Sequence, residues 1–122
     1  MINMKRRLLF LVLIGIVLLA LTSCSIFHGV LDNRTGFSDK LEKTEVYIRN
    51  SKWEEASLSL VDSKKTWDKL KPLLQIDIDH DYINQLEECL VQLEGYIDTC
   101  SQGDSLSTIL MIEDTWKHIG TL

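Results

Sequence analysis

A chain of 122 residues with 13 Lys and Arg against 18 Asp and Glu carries a formal charge of −5. Lys5, Arg6 and Arg7 sit at the N-terminus, and setting them aside leaves ten basic against the same 18 acidic side chains, a net of −8 for the remainder. Phosphate backbones and anionic headgroups repel such a surface, so nucleic acid is excluded as a partner, and the length past residue 24 allows one domain.

Lys5, Arg6 and Arg7 precede an apolar run from Leu8 to Leu21 that ends in Leu21-Thr22-Ser23-Cys24. A basic region, an apolar stretch and small residues before a break form the layout of an export signal. The run has 14 residues, short of the about 20 needed to cross a bilayer core. Residues 21–24 resemble the lipobox of bacterial lipoproteins, and that resemblance implies lipid attachment at Cys24. The competing reading is a retained helix extended through Ser25-Ile26-Phe27. Both make residues 1–24 a signal peptide or membrane anchor and export the rest of the chain, with the basic residues on the cytoplasmic side.

Residues 25–36 read as a linker or as the start of a first helix, beginning near Val30 or only after Gly36. Residues 37–122 read as a helical bundle domain. Phe37, Leu41, Thr44 and Ile48 recur at helical spacing and supply one apolar stripe. Ser51 with Glu54 matches a capping box, which predicts a second helix starting there. That helix carries the seam Trp53, Ala56, Leu60, Ser63, Trp67, Leu70 and Leu74, with Pro72 near its end. Residues 75–81 alternate apolar and acidic side chains and read as a connection with Ile76 and Ile78 tucked inward.

Asp79 or Asp81 is expected to cap a third helix with the seam Ile83, Leu86, Leu90, Leu93, Ile97 and Cys100. Gly103 is expected to stop it and Asp104 to cap a fourth, with Leu106, Ile109, Ile112, Trp116 and Ile119 inward. Cys89 and Cys100, eleven residues apart on one helix, stand about 16 Å apart along its axis, too far for a disulfide. Structural core positions are Trp53, Trp67, Leu86, Leu90, Leu93, Ile97 and Trp116. An offset of 49 aligns Glu45, Tyr47 and Ile48 with Glu94, Tyr96 and Ile97, Thr66-Trp67 with Thr115-Trp116, Leu41 with Leu90, and Leu60 with Ile109. Two helical hairpins of similar design follow each other, although shared helical periodicity alone yields some matches of this kind. The fold class is all-α: an N-terminal signal or anchor helix, then an antiparallel four-helix bundle made of two hairpins.

The sharpest cluster of chemistry-bearing residues is Asp77, Asp79, His80 and Asp81 with His118, a set from which zinc ligands could be drawn. The plainer reading of Asp-His-Asp ahead of a helix is N-capping, and of His118 in a last turn, compensation of the helix dipole. No nucleophile with a base and no carboxylate pair in a cleft emerges, so no enzymatic activity and no cofactor are expected. Glu54-Glu55 and Glu87-Glu88 read as solvated faces.

Trp53-Glu54-Glu55-Ala56, the second tryptophan Trp67, the turn Ile78-Asp79-His80 and the pair Tyr96-Ile97 resemble a family of small bacterial proteins of unknown function. Its members carry an N-terminal apolar anchor and a helical exported domain. The resemblance covers nearly all of the region after the anchor and implies fold and location only. The expected function is a membrane-anchored, extracytoplasmic protein-binding or scaffolding module acting on an envelope protein, through an acidic helix face or the groove between hairpins. A metal- or small-ligand-binding lipoprotein using the His80 turn is the alternative.

Overall fold

The structure, a computed structural model, describes residues 2–76 and 78–119; the side chains of residues 2, 21–30 and 33 stand outside that description. Within it the chain is all-helical, with α1 (Ile2–Thr35), α2 (Phe37–Arg49), α3 (Trp53–Leu74), α4 (His80–Asp98) and α5 (Gln102–Ile119). Among the described residues there is no strand, and no helix is long and apolar enough to cross a membrane.

Gly36 separates α1 from α2 with a φ of 64°, a left-handed conformation that costs glycine little. Residues 25–35 are therefore helix continuous with the apolar segment, and α2 begins at Phe37. Asp32 holds the junction: its carboxylate accepts from the Ser38 backbone N–H at 2.9 Å and from the Ser38 hydroxyl at 2.8 Å. Leu31, close by on α1, is buried in the core.

The apolar spacing of each later segment matches the face it buries. Phe37, Leu41, Thr44 and Ile48 of α2 are fully covered, as are Ile83, Leu86 and Leu93 of α4. Helix α3 buries Ala56, Leu60, Ser63, Thr66, Trp67, Leu70 and Leu74, and α5 buries Ser105, Thr108, Ile109, Ile112, Thr115, Trp116 and Ile119. Helix α2 packs on α3 and α5, and α4 packs on α5 and α3. At the centre, Phe37 meets Trp116 edge to face at 4.9 Å and Trp67 at 5.8 Å. Trp53, expected in the core, is only partly buried and packs against its edge.

Both short connections have one geometry, and it corrects three expectations. After α2, the N–H of Ser51 bonds Ile48 O and that of Lys52 bonds Tyr47 O; after α4, Cys100 bonds Ile97 O and Ser101 bonds Tyr96 O. This is the Schellman ending, with Ser51 (φ 54°) and Cys100 (φ 55°) in the left-handed position usually given to glycine. Ser51 thus terminates α2, and α3 starts from Lys52 with no side-chain cap, so the expected capping box does not form. Cys100 is turned out of the last helical turn and is exposed; Cys89, on the flanking row, is the buried thiol. Gly103 lies inside the first turn of α5, while Ser101 precedes that helix and donates its hydroxyl to Asp104 at 2.7 Å. Ile76 is also outward, 79% exposed, whereas Ile78 packs on the core. Pro72 sits within the last turn of α3, which continues to Leu74.

Candidate functional site

Cys24 belongs to α1 by its backbone, and its side chain lies outside the described residues. Asp77 is outside them too. Asp79 is the N-cap of α4, accepting from the Asp81 N–H at 3.2 Å, with His80 and Asp81 exposed beside it. His118 Nδ1 lies 2.9 Å from Asp114 O and 3.5 Å from the Asp114 carboxylate, both one turn back on its own helix. Among the described residues no group of three or more His, Cys, Asp or Glu side chains is gathered as a metal would require. Burial and the neighbouring Glu88 push the Cys89 thiol up, which leaves it a poor nucleophile.

The charged groups that do converge lie on the two seams joining the helix pair α2–α3 to the pair α4–α5. On the α3–α4 seam, Lys64 pairs with Glu94, and Lys71 Nζ reaches Glu87 at 2.6 Å. Trp67 beneath them donates its indole N–H to Glu87 at 3.2 Å. The hydrogen bond from Lys71 holds the Glu87 carboxyl below the usual glutamate value despite partial burial, with the Trp67 N–H assisting. This seam is closed by two pairs of opposite charge.

The α2–α5 seam has the same frame and different charges. Its indole is Trp116, which donates to the Ser38 hydroxyl at 3.0 Å, and Ser38 in turn donates to Asp32. Adding 49 to Ser38 gives Glu87, to Glu45 gives Glu94, and to Lys64 gives Glu113. Where one seam has Lys64 against Glu94, the other has Glu113 against Glu45. Both line the same groove where α2 packs on α5, near enough that each acts on the other's ionisation, and a hydrogen bond between two carboxyl groups needs a proton on one of them. Burial, then the hydrogen bond and charge of Glu45, raise Glu113 to about 7. Glu45 is held below its ordinary value, first by Arg49, whose Nε lies 2.6 Å from it.

Above this pair the surface opens into a groove of about 460 Å³ between α2 and α5. Leu41, Val46, Leu110 and Trp116 form its apolar walls, Glu42 adds a third carboxylate, and Lys117 stands at the rim. Val46 and Leu110, both lining this groove, are 52% and 42% exposed. Glu45 and Glu113 did not stand out in the sequence as a site, because surface glutamates on helices are ordinarily solvated. The usable signal was the 49-residue offset, which sets Glu113 under Lys64.

No curated protein and no solved structure matches the chain. A family model, DUF4363, a domain of unknown function, matches residues 26–122, from the later part of α1 through α5. The chain belongs to the DUF4363 family of domains of unknown function.

Proposed function

We propose that this is a non-enzymatic protein-binding module, anchored at the exported face of a cell membrane. In this reading α2 to α5 form an antiparallel four-helix bundle of two hairpins, and the groove between hairpins over Trp116 receives a basic side chain of an envelope protein. One observation carries the reading. Glu113 occupies the position that Lys64 occupies on the other seam, so the α2–α5 seam lacks a cation that its counterpart contains. A Lys or Arg from a partner would complete the pair, and the apolar walls would cover its methylenes. Lys117 and Arg49 at the edges limit the excess negative charge, which favours one inserted cation over a strongly basic surface.

Support for the anchor comes from α1. Leu8, Leu9, Phe10 and Leu11 are each at least 65% exposed, forming a long apolar helix surface, while the contact of α1 with the domain is made at Leu31 and Asp32. The basic triplet before this stretch and Cys24 after it have the layout of a lipoprotein signal.

Photocrosslinking in intact membranes tests the reading, with the crosslinker at Val46 in the groove or at exposed Val91 on α4. The expected result is a discrete protein adduct from Val46, lost in Glu113→Lys and in Cys24→Ala, and none from Val91. Equal adducts from both positions, or adducts unaffected by Glu113→Lys, would contradict it.

A further inference from the structure

We propose that the Glu45–Glu113 contact is a proton-operated latch between the two helix pairs, holding α2 to α5 while one proton is shared and loosening that seam when the proton leaves. The observation beneath it is the exchange of an ion pair for a carboxyl pair within one repeated frame. Lys64 and Glu94 attract each other at every pH at which a glutamate is ionised. Glu113 and Glu45, in the matching places, attract each other only while at least one of them is protonated, and repel when both are carboxylates. One side of the protein is therefore closed independently of pH near neutrality, and the other is closed conditionally.

Several charges act on the pair. From α2, Glu45 and Glu42 raise Glu113; from its own helix, Lys117 lowers it; and α4, the other helix packed on α5, contributes no charge among these. Glu45 is kept ionised by Arg49, so the proton resides on Glu113 and leaves near pH 7. The folded chain holds this proton more tightly than the unfolded chain, whose glutamates keep the ordinary value of 4.5. The latch therefore contributes fully below that value, and its contribution falls between there and about 7, where it is lost. The sign is opposite for Glu45, whose contribution is present above its ordinary value and fades in acid.

Deprotonation also changes the groove. With Glu113 protonated, Glu42 and Glu45 balance Arg49 and Lys117; without the proton, one negative charge is left over beside Trp116. A proton and a basic side chain are then alternative occupants of the same position, and binding of one expels the other. This second half rests on the partner reading above, whereas the latch does not.

The test uses the full-length protein in detergent micelles, following the thermal midpoint from pH 5.5 to 8.5 for wild type and Glu113→Gln. The 3 histidines are common to both proteins, so the difference between the two profiles isolates Glu113. The expected result is a wild-type midpoint that falls by several degrees relative to Glu113→Gln as pH rises through about 7. Parallel profiles overturn the latch. Should Glu113→Gln fail to fold, a carbon-detected NMR titration of the wild-type glutamates decides: one carboxyl titrating near 7 supports the latch. All of them titrating below about 5 overturns it. Adding a short peptide that carries a single arginine separates the two halves. A midpoint that responds to pH but not to peptide removes the partner reading alone, and a peptide that binds a seam with no titration near 7 removes the latch alone.

Discussion

Trp67 and Trp116 meet edge to face, with ring centroids 6.4 Å apart and planes at 87°, and stand 49 positions apart in the chain. Each sends its indole N–H across to the other helix pair, Trp67 to Glu87 and Trp116 to Ser38, and those acceptors are again 49 apart. The buried sets follow the same step. Phe37, Leu41, Thr44 and Ile48 map onto Leu86, Leu90, Leu93 and Ile97, and Ala56, Leu60, Trp67 and Leu70 onto Ser105, Ile109, Trp116 and Ile119, all of them buried. The core is thus one design used twice, and the differences between its halves are where function is to be sought.

Trp67→Ala tests the centre of that design. Trp67 is 2% exposed and touches Phe37 and Trp116, so its removal leaves a cavity that two aromatic neighbours cannot fill. The expected loss is about 3 to 5 kcal/mol by urea denaturation. A loss under about 1 kcal/mol would place Trp67 outside the core.

Ser105 stands where the other half has Ala56, and its buried hydroxyl has no hydrogen-bond partner among the described residues. Ser105→Ala relieves an unsatisfied polar atom without changing the space occupied by more than one oxygen. Stability should rise by about 1 kcal/mol. A decrease of similar size would show that the hydroxyl has a partner in solution.

The α1 to α5 boundaries show what a single sequence reveals and what it hides. The stripes of α2 to α5 were readable because 3.6-residue periodicity reports directly on the buried face, as the seam from Ala56 to Leu74 illustrates. The turns were not. Ser51-x-x-Glu54 has the composition of a capping box, yet a non-glycine residue took the left-handed position and made Ser51 the end of α2. Cys100 leaves the seam in the same way, since the apolar periodicity runs past the true end of α4 at Asp98 and Cys100 takes the left-handed position. The Glu45–Glu113 pair was hidden because it joins residues far apart in the chain, and only packing of α2 on α5 brings them together. Leu106, placed on the α5 seam, is partly buried and packs against the core.

Cys24→Ala tests the anchor. Attachment of lipid at Cys24 predicts a mature protein that begins at residue 24, carries acyl chains by mass spectrometry and is labelled metabolically by palmitate, all lost in the variant. An unprocessed chain of 122 residues in the membrane fraction, with no acyl mass, would instead support a retained N-terminal helix.

The most direct test of the account is to map where a cation binds. A short peptide carrying a single arginine, titrated into the isotopically labelled full-length protein at pH 8, in micelles, should shift the Trp116 indole resonance and the amides around Glu42, Glu45 and Glu113. The Trp67 indole on the closed seam should be unmoved, and Glu113→Lys should abolish the response. Shifts spread evenly over the acidic faces, or centred on α3 and α4, would contradict the claim that the seam between α2 and α5 is the binding site.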